Sequence, residues 1–159
     1  MTLSQRRGML RRLLLACLCC SPWYLPARGA ADADLGRFAR VDVETAKTSI
    51  YVGSVTMHLT PFLRKGANFH ANYTAKVFPY FFWNESGWIA IEVPDDALRL
   101  LMKGEVIQFK GHGVNDEGEE RHIEGRVVPA DANSGKIKVR VFVSKRIQLI
   151  FNTTYRLAP

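Results

Sequence analysis

Apolar and polar residues alternate with a period of two through most of this chain. From Asn68 to Val77, every odd position is apolar or aromatic and every even position is polar. Successive side chains of a β-strand point to opposite faces of a sheet, so this period predicts strands with one buried face. Ser49 to Thr60, Trp88 to Val93 and the segments after residue 104 show the same alternation. The chain is therefore expected to fold as a sheet protein.

In the C-terminal half, pairing the strands about the predicted turns places apolar residues opposite apolar ones and opposite charges next to each other. A fold at position 117 places Lys110 opposite Glu124 and Phe109 opposite Gly125, and a fold at position 132 places Glu124 opposite Arg140. Opposite charges across two strands attract, and an aromatic ring can cover a glycine that leaves its strand bare. These pairs predict a meander of three antiparallel strands.

Two further strand predictions combine parity, meaning whether the apolar residues fall on odd or even positions, with the presence or absence of turn residues such as Leu63 to Gly66. A fold at position 64 would pair His58 with His70 in the first hairpin. From Ile137 to Tyr155 the apolar positions keep one parity, and no Gly, Pro or Asn interrupts the stretch near Lys145. A two-residue hairpin would require such a residue, so we expect one long strand that bends near Lys145.

One helix is expected among these strands. Pro94 and two acidic residues open the segment that ends at Lys103 and Gly104, and its apolar residues share one side. The predicted fold class is all-β: a small antiparallel β-barrel or β-sandwich of about seven strands with one short helix.

The first 33 residues have the layout of a cleaved export signal. Four arginines precede the apolar run Leu13 to Cys20, and small residues follow up to Ala33. This order of basic, apolar and small residues is typical of a secretory signal peptide. Gln5 to Arg11 resembles the twin-arginine signal, although the general secretion route stays open. We expect residues 1–33 to be a signal peptide and residues 34–159 a single β-rich domain in the periplasm or secreted.

Removal of the leader would change the chemistry of the chain. All three cysteines, Cys17, Cys19 and Cys20, lie in it, so the mature domain would be free of cysteine. It would keep 17 basic and 14 acidic residues, a net charge of +3, against +7 for the whole chain. The basic character therefore describes mainly the leader and does not predict a nucleic-acid partner. We also expect no cofactor and no transmembrane span after cleavage.

An aromatic group around the turn at positions 84–87 is the candidate binding site. Parity places Phe78, Tyr80, Phe82 and Trp88 on the face opposite the odd-numbered core, with Trp83 at the turn. Exposed, Tyr80, Phe82, Trp83 and Trp88 would form a contact surface for a carbohydrate, an apolar ligand or an envelope protein. Covered by the helix or by the segment Phe38 to Val43, they would form a second core layer instead.

Polar residues supply weaker candidate sites. Parity places His112 opposite His122 beside an acidic turn, which makes them weak candidates for a divalent metal, although zinc sites use three or four ligands. Lys136, Lys138 and Arg140 form a basic stripe that could meet an anion or remain a solvated face.

No motif of nucleophilic, metal or phosphate chemistry is present in the sequence, and no catalytic residue is predicted. We therefore expect a non-enzymatic exported domain that binds a ligand or protein partner. The alternative is a small periplasmic enzyme that uses a histidine with a carboxylate. The two differ in one observable, because an enzyme would hold a histidine beside a carboxylate inside a cleft.

Overall fold

The computed structural model describes residues 35–158, and the export signal predicted for residues 1–33 lies outside them. Ten strands occupy most of the described part. They are β1 (Arg40–Val43), β2 (Ala46–Ile50), β3 (Gly53–Leu59), β4 (Phe62–Lys65), β5 (Asn68–Phe78), β6 (Glu85–Glu92), β7 (Ile107–Asn115), β8 (Glu120–Pro129), β9 (Ser134–Phe142) and β10 (Gln148–Ala158). A helix, α1 (Asp95–Met102), separates β6 from β7, and single turns of 3₁₀ helix span Gly36–Phe38 and Phe81–Trp83.

All strand pairs are antiparallel, and they close into a barrel. The hydrogen-bonded order is β2-β3-β5-β4-β1-β10-β9-β8-β7-β6, and β6 pairs back to β5. Eight strands form the closed ring, namely β1 and β4 to β10. The remaining two, β2 and β3, extend the sheet beside β5. The all-β prediction is confirmed. Of the two predicted architectures, barrel and sandwich, the structure has the barrel. Each of the eight ring strands is paired on both sides, whereas β2 pairs only with β3 among the described strands and is an edge.

The C-terminal meander has the register that the sequence predicts. Lys110 lies opposite Glu124 and Phe109 opposite Gly125, while Glu124 also lies opposite Arg140. Gly118 in the β7–β8 turn adopts φ 82°, a conformation that glycine reaches without strain. The pairs of unlike residues and the turn glycine thus specify one register together.

The first hairpin differs from the prediction. His58 lies opposite Thr74 and His70 opposite Leu63, so the predicted pair of His58 with His70 was wrong. The chain breaks at Thr60 and position 61 into β3 and β4, and it reverses later than expected, at positions 66–67. Proline at position 61 cannot donate to a ladder, which explains the break, and Gly66 with φ 65° provides the actual turn.

The predicted long strand from Ile137 to Tyr155 was also wrong, because it is a hairpin of β9 and β10. Gln148 lies opposite Phe142, and a loop at positions 143–147 joins the two strands. The Ser144 hydroxyl accepts hydrogen bonds from the backbone N–H groups of Arg146 and Ile147 at 3.3 and 3.2 Å. A serine hydroxyl can shape a longer loop in this way, so the turn needs no Asn-Gly pair. Parity is kept because an antiparallel hairpin pairs odd with odd positions.

The helix closes one end of the barrel. Its predicted apolar side is confirmed: Leu98 and Leu101 are buried, and Ala97 and Met102 pack against the core. Leu98 and Leu101 line, together with Phe38, an apolar interior cavity of about 80 Å³. We call this the helix end, and the opposite end, where β2–β3, β5–β6, β7–β8 and β9–β10 connect, the loop end. None of the helices in residues 35–158 has the length and apolar character needed to cross a membrane.

Candidate functional site

The β5–β6 connection at the loop end carries the aromatic residues singled out from the sequence. We call Phe78 to Trp83 the aromatic loop. Its last three residues form one turn of 3₁₀ helix, in which Trp83 N–H donates to the Tyr80 carbonyl at 2.9 Å. Asn84 holds the base, because its Oδ1 accepts a hydrogen bond from Val77 N–H at 2.7 Å. The loop is therefore tied to the barrel at both sides.

The rings of this loop face solvent. Phe78, Phe81, Phe82 and Trp83 expose 60, 64, 77 and 57% of their surface, and Tyr80 is half-buried against the core. Neither the helix nor the Phe38 to Val43 segment covers them, since α1 and Phe38 lie at the helix end. A contiguous group of exposed aromatic residues marks a contact surface far more often than a random stretch of protein surface does.

The rings brace one another. The centroid of Trp83 lies 4.8 Å from that of Tyr80 and 5.1 Å from that of Phe82, and Tyr80 and Phe82 are 5.9 Å apart. Tyr80 and Trp83 each meet Phe82 edge-on, at interplanar angles of 74° and 64°, a geometry that aromatic pairs prefer, while Tyr80 and Trp83 are tilted at 42°. Tyr80 anchors the group to the core, so the exposed rings are held in place before any partner arrives.

Trp88 stands apart from the other three candidate residues. It projects from the outer face of β6 between Asn72 and Val114, and its ring packs edge-on against His112 at 5.3 Å. A strand advances about 3.3 Å per residue, which places Trp88 roughly 10 Å along β6 from the aromatic loop. The structure thus brings together Tyr80, Phe82 and Trp83 but not Trp88.

Apolar surface continues beyond the aromatic loop. The β2–β3 turn adjoins it, because Ser54 at the start of β3 pairs with Phe78. Tyr51 and Val52 in that turn are exposed, as is Ile147 in the β9–β10 loop. The loop end therefore presents apolar side chains from three connections. The fourth connection, the β7–β8 turn, carries the acidic residues Asp116, Glu117 and Glu119.

A polar cluster inside the barrel near the loop end was not predicted. Arg121 is buried, and its Nη2 donates to Glu85 Oε2 at 2.9 Å and to Glu119 Oε2 at 2.6 Å. Tyr73 Oη donates to Glu85 Oε1 at 3.0 Å, and Asn115 Nδ2 donates to Glu119 Oε2 at 3.2 Å. Within residues 35–158, Arg121 Nε is buried and has no hydrogen-bond partner.

The contacts in this polar cluster shift the pKa values of Tyr73, Glu119 and Arg121. Burial raises the pKa of the Tyr73 hydroxyl, and the Glu85 carboxylate raises it further. The hydrogen bond from Arg121 and the charge of its guanidinium lower the pKa of Glu119. Burial alone would lower the pKa of Arg121, but its bonds with Glu119 and Glu85 outweigh burial and raise it. All three groups thus keep one protonation state at neutral pH, which suits a structural pair better than proton transfer.

Parity could have located this cluster. Glu85, Asn115 and Arg121 occupy odd positions of β6, β7 and β8, the same parity as the buried Ile89, Phe109 and Ile123. Glu85 and Asn115 lie beside turn signals, so the alternation of the apolar residues alone does not mark them as inward-facing. A charged residue at a position whose parity points into the barrel therefore indicates a buried polar cluster.

The histidines lie outside the barrel, with His70 half-buried and the others exposed. His112 lies opposite His122, as predicted. His122 Nε2 lies 3.2 Å from Glu124 Oε1, but both side chains are about half exposed on the outer face. Within residues 35–158, no group of three or more His, Cys, Asp or Glu side chains could hold a metal ion.

Comparison with family models, with curated proteins and with solved structures finds no match to this chain.

Proposed function

We propose that this chain is an exported, non-enzymatic β-barrel domain that docks onto a protein partner through its aromatic loop. The observation that carries the proposal is the exposure of four of the five rings in the loop, up to 77% for Phe82. Burying one large apolar side chain contributes about 1.5–3 kcal/mol, so this loop could supply much of a binding free energy. Aromatic residues are enriched at the centres of protein interfaces for this reason.

The shape of the loop favours a protein over a small ligand. A side chain that is 77% exposed projects from the surface and cannot line a deep pocket. The interior cavity, at about 80 Å³, falls short of the roughly 300–1,000 Å³ of ordinary ligand sites and is lined by the core. Projecting rings are suited to insertion into a groove of another protein.

The orientation of the rings also favours a protein partner over a carbohydrate. A sugar ring stacks on a flat aromatic face, whereas the rings of Tyr80, Phe82 and Trp83 stand at 42–74° to one another. The three rings therefore do not form one flat platform. The bracing between them also lowers the conformational entropy lost on binding, which preserves affinity.

Tryptophan fluorescence of the full chain tests the state of this surface. With Trp23→Phe and Trp88→Phe, Trp83 is the sole emitter, and we expect red-shifted emission that acrylamide quenches readily. A matched variant that keeps only Trp88, which packs on His112, should be quenched less. Blue-shifted emission from Trp83 that acrylamide does not reach would contradict an exposed docking surface.

The same variant separates the classes of occupant. Titration with a cell-wall glycan fragment and with a fatty acid should leave the Trp83 emission unchanged if the partner is a protein. A saturable blue shift with either probe would overturn the protein partner and assign the loop to that ligand instead.

Export is supported by the order of basic, apolar and small residues in positions 1–33. We expect the exported chain to begin at Asp34, as mass spectrometry of the periplasmic or secreted fraction would show. Replacing both Arg6 and Arg7 with lysine should stop export by a twin-arginine route and leave the general route unaffected. A full-length chain retained in the cytoplasm would contradict export by either route.

A further inference from the structure

A groove on the outside of the barrel holds basic side chains that have no acidic partner within residues 35–158. It crosses β8, β9 and β10, away from the aromatic loop, and has a volume of about 390 Å³. The side chains that shape it are Arg126, Val128, Lys136, Lys138, Asn152 and Thr154. The groove is open to solvent, because all of these side chains except Thr154 are exposed.

The register arranges these side chains in two rows across the three strands. Arg126 lies directly opposite Lys138, which lies opposite Asn152. In the next row, Lys136 lies between Val128 and Thr154. Like charges directly opposite each other on neighbouring strands, with Cβ atoms about 5 Å apart, are destabilising. Repulsion between Arg126 and Lys138 therefore destabilises the folded barrel, and an anion bound between them would remove that repulsion.

A neighbouring row on the same face shows the contrast. There Glu92, Lys110, Glu124 and Arg140 follow one another across four strands with alternating charge. In residues 35–158, no carboxylate lies within ion-pair distance of Arg126, Lys136 or Lys138. The nearest acid along β8, Glu124, instead contacts His122 at 3.2 Å, on the side away from Arg126.

We propose that this groove binds the phosphate group of a small ligand. A guanidinium fork and two ammonium groups match the charge and the oxygen acceptors of a phosphate. The Asn152 amide and the Thr154 hydroxyl add neutral donors at the other wall. The groove is larger than a phosphate ion alone, which leaves room for the group that carries it. The phosphate could be free, attached to a soluble sugar or part of a lipid headgroup.

Nuclear magnetic resonance of the isotope-labelled full chain tests this site residue by residue. We expect sodium phosphate, at an ionic strength matched with sodium chloride, to give saturable shifts of the amides of Arg126, Lys138 and Asn152. Arg126→Gln or Lys138→Gln should each weaken binding by about tenfold, because each removes a hydrogen bond to a charged group. Lys110→Gln, in the charge-matched row, should leave binding unchanged, as should Trp83→Ser in the aromatic loop.

Three probes distinguish the sources of the phosphate. Glucose 1-phosphate that binds more tightly than inorganic phosphate assigns a soluble sugar phosphate, and equal binding assigns the free ion. Binding to phosphatidylglycerol vesicles but not to phosphatidylcholine vesicles, with no response to the soluble probes, assigns a lipid headgroup. The proposal is overturned if no probe gives saturable shifts, if chloride gives the same response, or if both glutamine variants bind like the parent.

Discussion

Replacing Phe109 with alanine is expected to lower the free energy of unfolding by about 3–5 kcal/mol. The ring is buried, lines the interior cavity of about 80 Å³ and lies over Gly125 on the neighbouring strand. Its removal would join the existing cavity to a new one, and the closed barrel has little freedom to collapse around it. Urea unfolding monitored by circular dichroism would measure the loss.

Gly125 provides the matched test of that packing. A Cβ atom at this position would lie 2.0 Å from Phe109 Cζ, so Gly125→Ala forces the ring to move and should cost about 1–3 kcal/mol. In the Phe109→Ala background the same change should cost little, because the methyl group enters vacated space. Equal costs of Gly125→Ala in the two backgrounds would contradict contact between ring and glycine.

Replacing Arg121 with methionine should lower the free energy of unfolding by about 3 kcal/mol. The guanidinium bridges Glu85 and Glu119, and its loss leaves two carboxylates close together with Glu85 largely buried. We place the effect at the lower end of the range for buried pairs because Glu119 is mostly exposed. Arg140→Met, on the outer face, is the control and should change stability by less than about 0.5 kcal/mol.

A second variant separates charge from packing. Adding Glu85→Gln and Glu119→Gln to Arg121→Met removes the uncompensated charges and should recover part of the lost stability. If Arg121→Met is as stable as the parent, or if the added glutamines recover nothing, the ion pairs do not stabilise this end of the barrel.

The sequence predicts the register of β7, β8 and β9 well because several local signals agree there. Parity, the cross-strand charges and the turn glycine at 118 all favour one register, which the structure has. The first hairpin lacked such agreement. Parity cannot distinguish registers that differ by an even number of residues, so His58 was assigned to His70 when its partner is Thr74.

The candidate site was only partly predictable for a similar reason. Parity correctly separates an outer face from an inner one, but it does not say whether another element covers that outer face. The positions of α1 and Phe38 at the helix end decide this, and they depend on how the barrel closes. Glu85 of β6 and Arg121 of β8 are far apart in sequence, and they meet inside the barrel because both strands pair with β7.

Site-specific photo-crosslinking in the producing cell tests docking through the aromatic loop most directly. A benzophenone amino acid at position 82 should form an adduct with a protein, and Phe81→Ser with Trp83→Ser should abolish it. The same amino acid at position 110, in the charge-matched row of the outer face, is the control and should form no such adduct. A position-82 chain that forms no protein adduct beyond those formed at position 110, or an adduct that survives both serine substitutions, would contradict the proposed docking surface.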